Sequence, residues 1–226
     1  MRVLIAIAAL ALSACATAAT PAPVAAAVSA AASPIAPGLA RGDGVSIEPA
    51  DAPAGAYTLD SRHASVLWRI RHLGLGLFTA RFDTIAGTLN FDPQNPAASS
   101  ISATIETASV NTGVLNREGQ RAFDREIGEA LGAGANPTIS FTSRSAQLTG
   151  PTTGLITGDL TLNGQTRPVT LEATFHGGRF VQLRGKHALA FAARTIIRRS
   201  EWGVTNWSMF TGDEVEILID AEFIQN

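Results

Sequence analysis

Ile156-Thr157-Gly158-Asp159-Leu160-Thr161-Leu162-Asn163-Gly164-Gln165-Thr166-Arg167-Pro168-Val169-Thr170-Leu171-Glu172-Ala173-Thr174-Phe175 reads as two alternating runs around an Asn-Gly pair. Ile156, Gly158, Leu160 and Leu162 share one parity, against Thr157, Asp159 and Thr161. Val169, Leu171, Ala173 and Phe175 share the next, against Thr170, Glu172 and Thr174. A strand turns successive side chains to opposite faces, so each run is a half-buried strand by pattern. Asn-Gly accepts positive φ at both centres of a type I′ turn, whose twist matches that of paired strands. The stretch therefore predicts an antiparallel hairpin with one apolar face.

The same period recurs on both sides. Val66, Trp68 and Ile70 oppose Arg69 and Arg71; Ile85, Gly87, Leu89 and Phe91 oppose Thr84, Ala86, Thr88 and Asn90. Ile101, Ala103 and Ile105 form another run, as do Ile139 and Phe141. Val181, Leu183, Leu189 and Phe191 share a parity, and Val215, Ile217, Ile219, Ala221 and Phe223 face away from Glu214, Glu216, Asp220 and Glu222. Gly177-Gly178 is expected to separate two runs, and Asp92-Pro93 with Asn95-Pro96 to punctuate others. Two stretches break the pattern. From about Asn116 to Leu131, Phe123, Ile127 and Leu131 lie four apart and predict an amphipathic helix, with Asn116 as its cap and Gly132 as its stop. His72 to Phe82, with Gly74 and Gly76 inside, reads as a loop or a short distorted helix. About eight strands with one apolar face each can close into a barrel or pair as a two-sheet sandwich, and alternation alone leaves both open.

The N-terminus carries a different signal. Met1-Arg2 precedes an apolar run from Val3 to Leu12 and then Leu12-Ser13-Ala14-Cys15. One positive charge before a short apolar run fits a secretory signal, and the run is too short for the roughly 20 residues of a transmembrane helix. The tetrad resembles the lipobox of bacterial lipoproteins. That implies removal of residues 1–14, lipidation of Cys15 and, with Ala16 rather than Asp next, a periplasmic protein anchored in the outer membrane. Cys15 is the only Cys in the chain, so no internal disulfide can form, and acylation would remove a lone thiol. Residues 15–55 are rich in Ala and Pro and poor in large apolar groups, which predicts a disordered tether. A single folded domain is expected over 56–226. A formal net charge of −2 with scattered Lys and Arg gives no footprint for nucleic acid.

Particular residues point further. Tyr57-Thr58-Leu59-Asp60-Ser61-Arg62-His63-Ala64-Ser65-Val66 opens the domain, then Arg71-His72-Leu73-Gly74 with Arg81-Phe82, and Gly87-Thr88-Leu89-Asn90-Phe91-Asp92. Pro137-Thr138-Ile139-Ser140-Phe141, the hairpin Gly158 to Gly164 with Pro168-Val169-Thr170-Leu171, and Arg199-Ser200-Glu201-Trp202-Gly203 follow in order. This series resembles the YceI-like family of lipid- or polyisoprenoid-binding proteins. The resemblance implies an antiparallel, lipocalin-like β-barrel of about eight strands with one short helix. It also implies an elongated apolar lumen that holds a polyisoprenoid, an isoprenoid quinone or a fatty-acid derivative. The chain departs from the family between Thr112 and Pro137, where Arg117-Glu118 and Gln120-Arg121 stand in a longer Ala/Gly-rich stretch. Head-group preference is therefore not carried over.

No catalytic constellation is expected. The four His (His63, His72, His176 and His187) lack metal-ligand spacing, and no nucleophile elbow or phosphate loop occurs. Asp60 and Asp92 read as strand terminators. Residues expected inside the barrel are Trp68, Ile70, Leu89, Ile105, Phe141, Leu160, Leu171, Phe175, Phe191 and Ile217. His72 shares their parity and is placed near the mouth, either bonded to the barrel end or touching a polar head group. Trp202, with Trp207, Met209 and Phe210, either plugs one end or lines an entrance. Small inward residues at Gly87, Ala103, Gly158 and Ala173 either leave space for an open lumen or mark strand bends. Strands of about nine residues rise roughly 30 Å, less when tilted, enough for about four or five isoprene units. The expected function is carriage or sequestration of an apolar chain, without catalysis and with no cofactor other than such a ligand. The alternatives are a lipocalin-type enzyme with His72 as base, or an envelope adaptor with a filled core. A dimer remains open.

Overall fold

A computed structural model describes residues 42–226 of the chain. The expected signal segment, Cys15 and the expected tether up to residue 41 lie outside the described residues. The strands are β1 (Gly55–His72), β2 (Gly76–Phe82), β3 (Ile85–Phe91), β4 (Ser100–Glu106), β5 (Val110–Asn111), β6 (Thr138–Leu148), β7 (Thr153–Leu162), β8 (Gln165–Val181), β9 (Lys186–Arg198) and β10 (Thr211–Gln225). One α-helix, α1 (Ala122–Ala130), lies between β5 and β6. Every pairing is antiparallel, and β10 returns to β1 through Trp68↔Ile217 and its neighbours. The sheet thus closes on itself, which settles barrel against sandwich.

The barrel has eight staves because two of them are broken strands. β1 pairs β2 over Val66–His72 and β3 over Gly55–Thr58, so β2 and β3 are one stave interrupted at Asp83-Thr84. β4 and β5 are the next, interrupted by a 3-10 turn at Thr107–Ser109. The two breaks are stitched together. Asp83 N–H donates to Ser109 O at 2.9 Å, and the Asp83 carboxylate accepts from Asn111 Nδ2 at 2.8 Å and Arg81 Nε at 2.8 Å. The backbone groups freed by the kinks are satisfied there.

The central hairpin forms as read. Asn163 (φ 48°) and Gly164 (φ 69°) both take positive φ, and Leu162 pairs Gln165 across them. Several expectations need correction. His72 to Phe82 is not a loop or helix but a tight turn and strand β2, in which Phe78, Ala80 and Phe82 point inward and Leu77, Thr79 and Arg81 outward. Alternation is present there, and Gly74 and Gly76 only obscure it. Gly177-Gly178 does not end a strand. β8 continues to Val181, with a register shift at Gly177 (φ 139°) that lets Ser46 pair with Gly178. A Cβ at Gly177 would lie 2.8 Å from Ser46 O, so Gly makes room for that extra segment. That segment is the third correction. Residues 46–52, assigned above to the tether, pack on the barrel through this bridge, a 3-10 turn at Pro49–Asp51 and buried Ala52. Fourth, the helix starts at Ala122 rather than near Asn116, whose Oδ1 closes a turn to the N–H groups of Glu118 and Gln120. Gly132 (φ 86°) stops it as expected.

The interior is divided along the barrel axis. At the end holding Gly55, Phe91 and Gln225, the buried side chains of Tyr57, Leu89, Phe91, Phe175, Leu189 and Phe223 form a plug. Phe175 and Phe191 have ring centres 5.2 Å apart, Phe91 stacks on Phe175, and Tyr57 Oη donates to Pro53 O at 2.7 Å. Asp60 is not a strand terminator. It sits in an irregularity of β1 between Leu59 and Ala64, where it accepts from His63 and Arg184. Asp92 does end β3, accepting from the N–H groups of Gln94 and Asn95. The second core cluster lies in the opposite half, where most of its side chains wall the interior, and includes Phe82, Ile127, Leu162, Leu171 and Trp202.

Candidate functional site

Between plug and mouth the barrel holds a cavity of about 810 Å³. All eight staves contribute apolar side chains to its wall, because the inward parity of each strand is almost entirely Ile, Leu, Val, Ala or aromatic. A volume in this range is typical of enclosed small-molecule sites. At interior packing density it holds roughly 25–30 carbon-sized groups. That agrees with the length estimate from strand rise.

Of the residues named from the sequence, Trp68, Ile70, His72, Leu89, Ile105, Phe141, Leu160, Leu171, Phe191 and Ile217 line the cavity. Phe175 and Trp202 do not. Phe175 keeps the inward register of β8, paired with Phe191, but lies at the plugged end, where its ring packs against Phe91 and Phe191. Trp202 is 2% exposed and donates its indole N–H to Leu160 O at 3.2 Å. It is core packing at the barrel end, which is the plugging alternative. The small residues also divide. Ala103 and Ala173 line the cavity, but Gly87 and Gly158 leave no space. A Cβ at Gly158 would sit 2.5 Å from Phe141 Cζ, so the ring of Phe141 already occupies that position. A Cβ at Gly87 would meet Ser102 O at 3.0 Å.

The mouth was the least legible part. Trp68, Phe78, Phe123 and Trp207 form a chain of ring contacts with centre distances of 5.8, 5.9 and 6.4 Å. It runs from the wall, through β2 and α1, to the loop between β9 and β10. Phe78, Phe123, Trp207 and Phe210 all line the cavity. Phe78 lies on β2, whose alternation Gly74 and Gly76 obscure, and Phe123 reaches the lumen because α1 folds over the barrel end. Asp124 fixes α1 there by accepting from Thr112 N–H at 3.0 Å and from Thr112 Oγ1.

Several polar side chains line the mouth, among them His72, Arg199, Asn206 and Thr211. Arg199 is buried, and its guanidinium donates to Gly212 O (2.9 Å), Val204 O (3.0 Å), Asn206 O (2.7 Å) and Thr211 Oγ1 (3.0 Å). Burial pushes Arg199 below its ordinary value, against the pull of Asp213. One side chain thus pins both ends of the mouth loop. His72 lies exposed at the rim. The Trp68 indole N–H is buried with no acceptor among the described residues. His63 lies at the plugged end with Asp60, and His187 packs edge-on to Phe180. Among the described residues no group of three His, Cys, Asp or Glu could hold a metal ion, and no helix is long and apolar enough to cross a membrane.

Known proteins share this architecture. The BcnA structure from Burkholderia cenocepacia superposes with a TM-score of 0.60 at 21% identity, over 73% of this chain and 98% of that one. A polyisoprenoid binding domain from Saccharophagus degradans, implicated in plant cell wall breakdown, superposes with a TM-score of 0.55 at 13% identity, over 77% and 100%. At these identities both show the fold alone. Protein YceI of Salmonella arizonae is 36% identical over 176 residues, covering 77% of this chain and 89% of that protein. The family model of the YceI-like domain matches residues 57–223, nearly the whole barrel, and the chain therefore belongs to the YceI-like family.

Proposed function

We propose that the barrel binds one amphiphilic apolar chain in its lumen, a polyisoprenoid, an isoprenoid quinone or a fatty-acid derivative, and carries or sequesters it in the bacterial envelope. The observation that carries this reading is the cavity of about 810 Å³ with an apolar wall drawn from every stave. An adaptor with a filled core has no use for that space, and an empty apolar volume of this size forfeits the dispersion contacts a chain would restore. The polyisoprenoid binding domain that shares the fold supports the class of ligand. Each buried methylene contributes at most about 0.8 kcal/mol, so a chain of a few isoprene units binds without a dedicated polar contact. Length and shape then set selectivity.

The lipobox-like tetrad supports periplasmic placement with Cys15 as a lipid anchor in the outer membrane. Mass spectrometry of protein extracted from membranes should find a diacylated N-terminal Cys15, and a mature N-terminus beyond residue 15 refutes the anchor. The reading also has the protein hold its ligand unchanged, since His72, at the rim, is the one described His that lines the lumen. Organic extraction of gently purified protein, followed by lipid mass spectrometry, tests the whole reading. A stoichiometric isoprenoid or acyl species is expected. Finding none, together with failure to take up polyprenols or quinones added in detergent, refutes it. Turnover of the extracted ligand by the parent, lost in His72→Ala, would make the protein an enzyme instead.

A further inference from the structure

The rim of the mouth is apolar where a soluble surface should be polar. Leu73 and Leu75 form the β1–β2 turn, and Trp207, Met209 and Phe210 form the β9–β10 loop. Met209 is 88% exposed and Leu75 76%, with Leu73 and Phe210 both above half. These loops are one ledge, because Leu73 N–H donates to Phe210 O at 2.7 Å and His72 pairs with Thr211. Leu73 (φ 52°) and Trp207 (φ 55°) both hold a left-handed backbone, which bulky side chains rarely adopt. Trp207 O anchors its turn by accepting from Phe210 N–H, Thr211 N–H and Thr211 Oγ1. The fold thus tolerates strain to hold large apolar groups out in water, which points to function rather than stability.

We propose that this ledge seats the barrel mouth-down on a lipid bilayer, so that an apolar chain passes from the acyl layer into the lumen without crossing water. The proposal rests on the lumen-binding reading above and adds the route of entry. Three observations favour a bilayer over a protein partner. The apolar groups sit on two joined turns at the rim rather than along a strand or helix face, which suits a fluid medium better than a shaped one. Leu75, Trp207 and Phe210 are shared by ledge and cavity wall, so the apolar path is continuous from rim to lumen. Arg71 donates to Leu75 O at 2.6 Å, which places a guanidinium at the ledge beside Leu and Trp, the residue set that settles at the interfacial level of membranes.

The chain outside the described residues is long enough to permit this. Ser46 joins the barrel at Gly178 and Gly42 lies beside Arg179, both towards the plugged end. Residues 16–41 could span up to about 90 Å when extended, against roughly 45 Å for the tilted 18-residue strand β1. A barrel held by Cys15 can therefore lay its far end on the same membrane.

The test uses the full-length protein in phosphatidylcholine vesicles whose acyl chains carry bromine, which quenches nearby tryptophan. Trp207 should be quenched, and Trp207→Phe should abolish that quenching. The pair Leu73→Asp and Met209→Asp, neither of which lines the cavity, should remove it too. The same pair should slow polyprenol transfer from vesicles at least tenfold, while uptake of polyprenol from detergent stays at the parent level. Quenching that survives Trp207→Phe or the Asp pair overturns the proposal. So does an unquenched parent, including one whose ledge proves to be a dimer contact that the Asp pair dissolves. If quenching behaves as expected but no protein takes up polyprenol from detergent, the lumen reading fails and membrane docking stands alone.

Discussion

Ala173→Phe tests the open lumen by narrowing it at a known place. Ala173 lines the cavity and pairs with Gly154 on one side and Ala193 on the other, so the wall is thin there and a larger side chain has only the lumen to enter. The substitution adds six carbon atoms, roughly 100 Å³ at interior packing density. Against about 810 Å³ that removes about an eighth of the space, close to the volume of one isoprene unit. Burial at about 0.8 kcal/mol per methylene-sized group makes the displaced unit worth up to roughly 4 kcal/mol, an upper bound because part of that surface is already buried in a micelle. At about 1.4 kcal/mol per tenfold, the longest chain the parent binds should bind ten- to a thousandfold more weakly. A chain one unit shorter should bind almost as before. The assay is uptake of a graded series of polyprenols from detergent, quantified by mass spectrometry and paired with thermal unfolding of the ligand-free protein. In an open lumen the new ring fills empty space and the melting temperature holds or rises. In a filled core the same ring would cost about 1–3 kcal/mol by overpacking. Equal loss at every chain length, or a lowered melting temperature with unchanged binding, refutes the reasoning.

Trp202→Ala should destabilise the barrel by about 3–5 kcal/mol in denaturant unfolding, because a nearly fully buried indole is removed from a packed end. The milder Trp202→Phe should keep ligand affinity, since Trp202 does not line the cavity. Arg199→Met leaves the carbonyls of Val204, Asn206 and Gly212 without their donor, so hydrogen exchange should rise across 203–212 and stability should fall by about 2–4 kcal/mol. The Asp60 carboxyl is lowered to about 2 by the hydrogen bond from His63 first, then by Arg184 and the Arg62 N–H, against the opposing effect of burial. Its folded value lies below its ordinary one, so it stabilises the fold at pH above about 4 and loses that contribution as pH falls towards 2. Acid titration of Asp60→Asn should therefore show a shallower loss of stability across that window than the parent, and identical slopes would rule the carboxylate out as a contributor.

The strands and their inward faces were legible in the linear chain because they depend on local rules. A period of two decides which side chains share a face, and Asn163-Gly164 decides a turn through the φ its two residues accept. Most of the cavity wall followed from that parity, from Trp68 on β1 to Ile217 on β10. Alternation could not say whether the sheet closes. Closure is a pairing between β1 and β10, about 150 residues apart, and no local period encodes it. The family resemblance supplied that expectation, and the register Trp68↔Ile217 bears it out. Local rules also failed wherever a partner from elsewhere in the chain took over. Gly177-Gly178 looked like a turn, but it is the gap into which Ser46 fits. Gly158 looked like open space, but Phe141 from the neighbouring strand fills it. Phe175 has the inward parity yet packs into the plug below the cavity, and Trp202 has the chemistry of a ligand contact yet is core. The mouth depended most on tertiary structure. Phe123 and Trp207 meet across it because α1 and the Arg199-pinned loop fold over the same barrel end. Parity specifies which way a side chain points from its own strand. What it meets there is set by the other staves, and that meeting is what makes a wall, a plug or an opening.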